Sequence, residues 1–136
     1  MMTGTLKRKY NSGILCISSL IYFLAGVITY EKTPYLSLLL FIVTIFSILY
    51  YNNFKNFNLK TLDWVSGIVL AVYLYYFFGI YFNTYIFVFL VVLVVFRIFD
   101  HLLFKTKRYG VFSYTHSVWH LLSGIVIILL FIFNKV

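Results

Sequence analysis

The chain has 136 residues, of which 63% are hydrophobic and 10% charged, and its formal net charge is +8. A soluble domain is about half apolar and about a quarter charged, so a water-facing globule is excluded and lipid must solvate most of these side chains. The basic excess would point to nucleic acid in a soluble protein. Here the Lys and Arg residues flank long apolar runs, as they do on the cytoplasmic side of membrane proteins, and no nucleic-acid partner is expected.

The first apolar run covers residues 13–30 and follows Lys7, Arg8 and Lys9. Those cations resemble the start of a signal peptide, but the run is long for one and no small-residue cleavage site follows it. It reads as a retained spanning helix. Cys16 is the single cysteine, so no intramolecular disulfide forms and burial as a small hydrophobe is expected. The second run, 34–51, has Thr33 placed to cap it and Pro34 suited to its first turn. Residues 61–99 are too many for one span, and Asn83 with Thr84 makes a turn that divides them into 61–82 and 85–99. The latter is short for a span unless Arg97 and Asp100 reach outward from it. The fifth run covers 116–133. Tyrosines and tryptophans, Trp64 and Trp119 among them, gather near the ends of the runs as interfacial belts require. No apolar/polar alternation favours a β-barrel. The expected fold is all-α, one polytopic transmembrane domain of about five spans.

Orientation follows from the Lys and Arg count. With the N-terminus cytoplasmic, Lys7, Arg8, Lys9, Lys55, Lys60, Arg97, Lys105, Lys107 and Arg108 fall inside, and Lys32 and Lys135 outside. That bias supports five spans with the C-terminus outside, and the expected location is the cell (inner) membrane of a bacterium. Arg97 is expected to snorkel to the inner interface, and the group from Lys105 to Arg108 to contact anionic headgroups.

This topology sorts the polar residues by depth. Asp63 opens the third helix, His116 and His120 open the fifth, and Thr44, Ser47 and Tyr51 lie along the last turns of the second. Ionisable groups within spans are costly and usually face the bundle interior. All of these converge on the cytoplasmic leaflet. Two small-residue stripes accompany them, Ser66, Gly67 and Ala71 after Asp63, and Ser123 with Gly124 after His120, and these stripes are expected to pack on each other. His116 and His120 stand i, i+4 on one helix face, a spacing that can ligate one Zn²⁺, with a third ligand and a water completing a catalytic site. The alternative is that both histidines are interfacial groups bonded to carbonyls or headgroups, and that Asp63 answers the helix dipole. Spacing alone leaves both open.

The segment His116-Ser117-Val118-Trp119-His120 resembles the last-helix H-S-x-W-H motif of the CREST membrane hydrolase superfamily. That group includes alkaline ceramidases, progestin and adipoQ receptors, lipid-remodelling proteins and myomaker-like proteins. Its members carry upstream a serine with a histidine four residues later, then an aspartate opening the next helix. Ser47 and Asp63 are similar in order and spacing, whereas Tyr51 stands where the third histidine would fall, and members usually have seven core helices. The resemblance implies a lipid amide or ester hydrolase. His116 and His120 would hold Zn²⁺, with Asp63 and Tyr51 as further ligand candidates; Asp63 would orient or deprotonate the attacking water, and Ser47 would stabilise the oxyanion. His101 is a weaker substitute ligand, set in the loop after the fourth helix. The alternative within the same superfamily is a non-catalytic lipid-binding, receptor-like or structural protein, since replacing a ligand is how such sites lose chemistry. Haem is disfavoured because histidines i, i+4 on one helix cannot both be axial ligands, and a transporter because paired Gly/Pro-broken helices are lacking. The expected partners are membrane lipids, including a lipid substrate.

Overall fold

Each apolar run becomes one helix, and two of the helices start where an asparagine side chain receives their free N–H groups. The computed structural model describes residues 10–79 and 84–133. Helix α1 (Ser12–Thr29) is capped by Asn11, whose side chain accepts from the Ile14 N–H. Helix α2 (Pro34–Asn52) begins with proline at its first turn, where a missing N–H costs nothing. Thr33 does not cap it; its hydroxyl donates back to the Thr29 carbonyl at 3.0 Å. Helix α3 (Phe57–Phe78) starts four residues before the predicted 61, because Asn56 accepts from the N–H groups of Asn58 and Leu59. The predicted end at 82 and Asn83 of the predicted turn lie outside the described residues.

The largest departure from expectation is at the α4–α5 junction. Helix α4 (Thr84–Lys105) runs well past the predicted 99, and α5 (Tyr109–Phe133) starts well before the predicted 116. The connection is a tight stop. The Arg108 N–H reaches the Leu103 carbonyl and the Lys107 N–H that of Phe104, with Lys107 at φ 60°. This is a Schellman cap with lysine in the left-handed position that glycine usually takes. Arg97, Asp100 and His101 are thus helical residues, and Arg97 and Asp100 turn inward where outward reach was expected.

All five helices among the described residues are long and apolar enough to cross a membrane, and the chain is an integral membrane protein. Close packing joins α1 to α2 and α5, α2 to α3, and α4 to α5. The helices therefore stand in the order α3, α2, α1, α5, α4. Burial agrees: 39–44% of the spanning windows of α1, α2 and α5 is buried, against 17% for α3 and α4, which end the row. Exposed Ile17, Phe23, Val72, Val91, Val95 and Ile125 face lipid. Interior packing uses small residues to bring backbones close. A Cβ on Gly124 would lie 2.5 Å from the Ile21 side chain of α1. Gly67 has open space about it and Ala71 is exposed, so the two small-residue stripes do not meet as expected. Ser113 of α5 accepts from the Asn11 N–H just before α1. Bonds of this kind gather the start of α1, the end of α2 and the start of α5 at the bundle end that carries Lys55, Lys60, Lys105, Lys107 and Arg108, called here the basic end. Tyr10 closes it, stacked on Phe54 and packed near Tyr109 and Phe112. Burial pushes its phenol up, and its hydroxyl is the one buried polar atom without a partner among the described residues.

Candidate functional site

Helix α5 delivers His116 and His120 one turn apart, at 3% and 2% exposure. Helix α2 brings Tyr51, also 2% exposed, to meet both. The phenol oxygen lies 2.8 Å from Nε2 of His116 and 3.0 Å from Nε2 of His120. The far nitrogens are held as well. Nδ1 of His116 lies 2.9 Å from Asp100 Oδ2, and Nδ1 of His120 lies 2.8 Å from Ser18 Oγ on α1. Asp100 is fully buried, and its Oδ1 accepts from the Thr115 hydroxyl at 2.5 Å. The His116 ring is clamped between Phe112 and Trp119, with centroids 5.0 and 5.5 Å away and planes within 15° and 5°. Trp119 donates Nε1 to the Leu93 carbonyl of α4 at 3.2 Å, so it is a packing residue of the bundle instead of a belt residue.

With Asp100 ionised and both imidazoles neutral, proton counting sets the direction of these bonds. A phenol donates once, so Tyr51 gives its hydrogen to one imidazole and accepts from the other. A carboxylate at Asp100 takes the Nδ1–H of His116. Nε2 of His116 then accepts from Tyr51, whose oxygen accepts Nε2–H of His120. Nδ1 of His120 accepts from Ser18 at 2.8 Å, in preference to the Leu15 carbonyl that the same hydroxyl reaches at 3.0 Å. The two histidines are opposite tautomers coupled through one oxygen.

Ser47 and Asp63 form the second pair. The serine hydroxyl donates to Asp63 Oδ1 at 2.5 Å, and Ser66 donates to the Asp63 backbone carbonyl. Thr44 stays apart, back-bonded to Leu40 at 2.8 Å. Between the two pairs lies a small cavity, about 20 Å³ of room for water centres, enough for one or two waters. Its walls include Tyr51 from α2, Lys60, Asp63 and Trp64 from α3, Arg97 and His101 from α4, and His116 from α5. His101 is exposed there, on the helix and not in a loop.

Sequence reasoning gathered Ser47, Asp63, His116, His120 and Tyr51 correctly at one end of the bundle, and missed Asp100, Arg97 and Ser18. A signal for Asp100 existed: the chain has three acidic residues, and a carboxylate near a span asks for a partner. Arg97 places Nη1 3.2 Å from His116 Nδ1, and its guanidinium lies 5.5 and 5.6 Å from the Trp64 and Trp119 ring centres. It is not a snorkelling residue. Ser18 gave no signal, since serines are common in spanning helices.

Does the donor set fit a metal? Both imidazoles have Nδ1 held by another group and Nε2 aimed at one shared point, the outer-sphere arrangement typical of metal-ligating histidines. Among the described residues no three His, Cys, Asp or Glu side chains cluster to hold an ion. The shared point is the Tyr51 oxygen itself, so an ion held here would take two nitrogens and that oxygen in place of their hydrogen bonds. Fold and site together define a class: an integral membrane helix bundle with a buried Asp–His–Tyr–His relay beside a Ser–Asp pair. The chain matches no family model, no curated protein and no solved structure.

Proposed function

We propose that the chain is a membrane-embedded hydrolase of lipid amide or ester bonds, related to the CREST superfamily, with its site in the cytoplasmic leaflet of a bacterial inner membrane. The observation that carries the proposal is the convergence of two imidazole Nε2 atoms on one point, both rings locked from behind, beside a Ser–Asp pair. The cytoplasmic placement rests on the Lys and Arg count. His116, His120 and Tyr51 would hold zinc, which when bound supplies Lewis-acid polarisation of a carbonyl and an acidified water. Asp63 lines the same cavity and acts as the base. Ser47 occupies one of its oxygens, leaving the other to take a proton from the attacking water. Once Asp63 is protonated, the Ser47 hydroxyl is free to hydrogen-bond the developing oxyanion, and Asp63 then returns its proton to the leaving amine or alcohol as the C–N or C–O bond breaks. Asp100 holds His116 in one tautomer throughout.

The test is zinc analysis of the purified full-length protein together with hydrolysis of lipid amides and esters. Stoichiometric zinc is expected, lost in both His116→Ala and His120→Ala, and held more tightly against a chelator in Tyr51→His. Metal-free protein of normal fold, inert on these lipids, would refute it.

The second reading, a non-catalytic lipid-binding, receptor-like or structural protein of the same superfamily, is favoured by one observation. The Tyr51 phenol already bonds to both Nε2 atoms, so the histidines are satisfied without an ion. Wild type without zinc that gains it in Tyr51→His would select this reading.

A further inference from the structure

Arg97 carries its charge inside a membrane-crossing helix with no carboxylate within pairing distance among the described residues. Asp100 accepts from the neutral His116 ring instead, and the charges of Asp100 and Asp63 act on Arg97 from farther off. Its polar contact is with His116 Nδ1 at 3.2 Å, the atom that Asp100 Oδ2 approaches to 2.9 Å. An Nδ1–H directed to the carboxylate offers Arg97 no lone pair. What is left to the guanidinium is the faces of two indoles. A guanidinium has five donors in a planar fork suited to phosphate or carboxylate, and an ionisable group inside a span with donors unused by any carboxylate is a candidate ligand contact.

A second cation lines the same cavity from the opposite wall. Lys60 of α3 is half-buried, with Nζ 5.3 Å from the Phe104 ring centre on α4 and no carboxylate in pairing distance among the described residues. The cavity's one carboxylate, Asp63, is engaged by Ser47. Helices α3 and α4 end the row, and the contacts across their basic ends are these long side chains, Lys60 on Phe104 and Arg97 on Trp64. The enclosed space holds about a water, so a larger group sits at the mouth, where Trp64 is 44% exposed.

We propose that Arg97 and Lys60 bind the phosphate of an anionic lipid, which enters sideways between α3 and α4 and leaves its chains in the bilayer. This names the substrate class of the site proposed above and rests on that reading only for turnover, since binding requires none. The phosphate oxygens replace the ring faces as partners of both cations, in charge-assisted bonds.

The chain reports on this site directly, because its two tryptophans, Trp64 and Trp119, flank Arg97. The full chain in a neutral maltoside detergent is titrated with a short-chain diether phosphatidic acid while tryptophan emission is followed. A saturable change is expected, with affinity about tenfold weaker in Arg97→Gln and a smaller loss in Lys60→Gln. The neutral diether glycerol should give no saturable change, and glycerol 3-phosphate should bind far more weakly than the lipid. Equal binding of the neutral lipid, or unchanged affinity in the double variant, overturns the proposal. Glycerol 3-phosphate binding as tightly as the lipid overturns its lipid half and assigns a soluble phosphate. Should Arg97→Gln fail to fold, Lys60→Gln at the mouth decides the matter by itself. Ether bonds cannot be hydrolysed by this chemistry, so binding by metal-free, inert protein leaves this inference standing while the hydrolase reading falls.

Discussion

Tyr51→Phe removes one oxygen from the centre of the buried relay and nothing else. That oxygen accepts from one imidazole and donates to the other, at 2.8 and 3.0 Å. The residue is 2% exposed and both imidazoles are similarly buried. Its loss leaves one buried N–H and one buried lone pair unsatisfied, at about 1–3 kcal/mol each. A water can enter from the adjoining cavity, which borders both Tyr51 and His116, and recover part of the loss. The expected cost is therefore about 2 kcal/mol, near the low end of the sum. Equilibrium unfolding in mixed detergent micelles, wild type against variant, measures it. A second readout is independent of stability. ¹⁵N spectra of histidine-labelled wild type should show one Nδ1–H and one Nε2–H tautomer at His116 and His120, because a single phenol couples them. The same tautomer at both rings, or a stability change below about 0.5 kcal/mol, would refute the relay.

Asp100→Asn should be mild and Asp100→Ala severe. The amide oxygen can keep the His116 Nδ1–H while its NH₂ turns to Thr115, whose hydroxyl has the Phe112 carbonyl as a second acceptor at 3.2 Å. A loss of about 1 kcal/mol is expected for Asn, and about 3 kcal/mol or more for Ala, which empties a fully buried site; equal losses would refute the orientation. Gly124→Ala forces a methyl against Ile21 at 2.5 Å and should cost about 1–3 kcal/mol, whereas Gly67→Ala, with open space about it, should be neutral or slightly stabilising. The same unfolding assay separates them, and equal effects would refute the α1–α5 packing. Tyr10→Phe deletes a buried hydroxyl without a partner among the described residues and should leave stability unchanged or raise it by about 1 kcal/mol; a clear loss would mean the hydroxyl is bonded.

How much of this was legible in the sequence depended on which residues lay where lipid solvates them. Apolar content dictated five helices, and Pro34 marked the start of α2 to the residue. The i, i+4 spacing of His116 and His120 put both on one face, and the order of Ser47 and Asp63 around the second connection brought them together. The ends of α4 and α5 were misread because polarity was taken for exit from the bilayer. Arg97, Asp100 and His101 interrupt an apolar run, yet Arg97 and Asp100 point at other polar groups on α5 and the helix continues to Lys105. The same misreading hid the short connection, since the cap that ends α4 uses Lys107 at positive φ, where a glycine would have announced it. Hydropathy reports which residues are polar. It does not report whether they face water or each other.

Tyr51 carries the tension between the two functional readings, and the atoms behind the histidines bear on it more than the phenol does. A structural pair of histidines needs one partner per polar atom, and serines or backbone carbonyls would suffice. Here His116 has a fully buried carboxylate on Nδ1, itself held by Thr115, and two aromatic rings fixing its plane. A buried carboxylate is expensive unless its position is used. Its effect is to make Nε2 the electron-rich nitrogen and to aim it at one point, which is also where Nε2 of His120 aims. Hydrogen bonding to a phenol gains little from that basicity, whereas coordination of an ion gains much. The outer groups support the proposed Lewis-acid reading, on which Tyr51 would be the third donor, and the zinc content of Tyr51→His against wild type tests it.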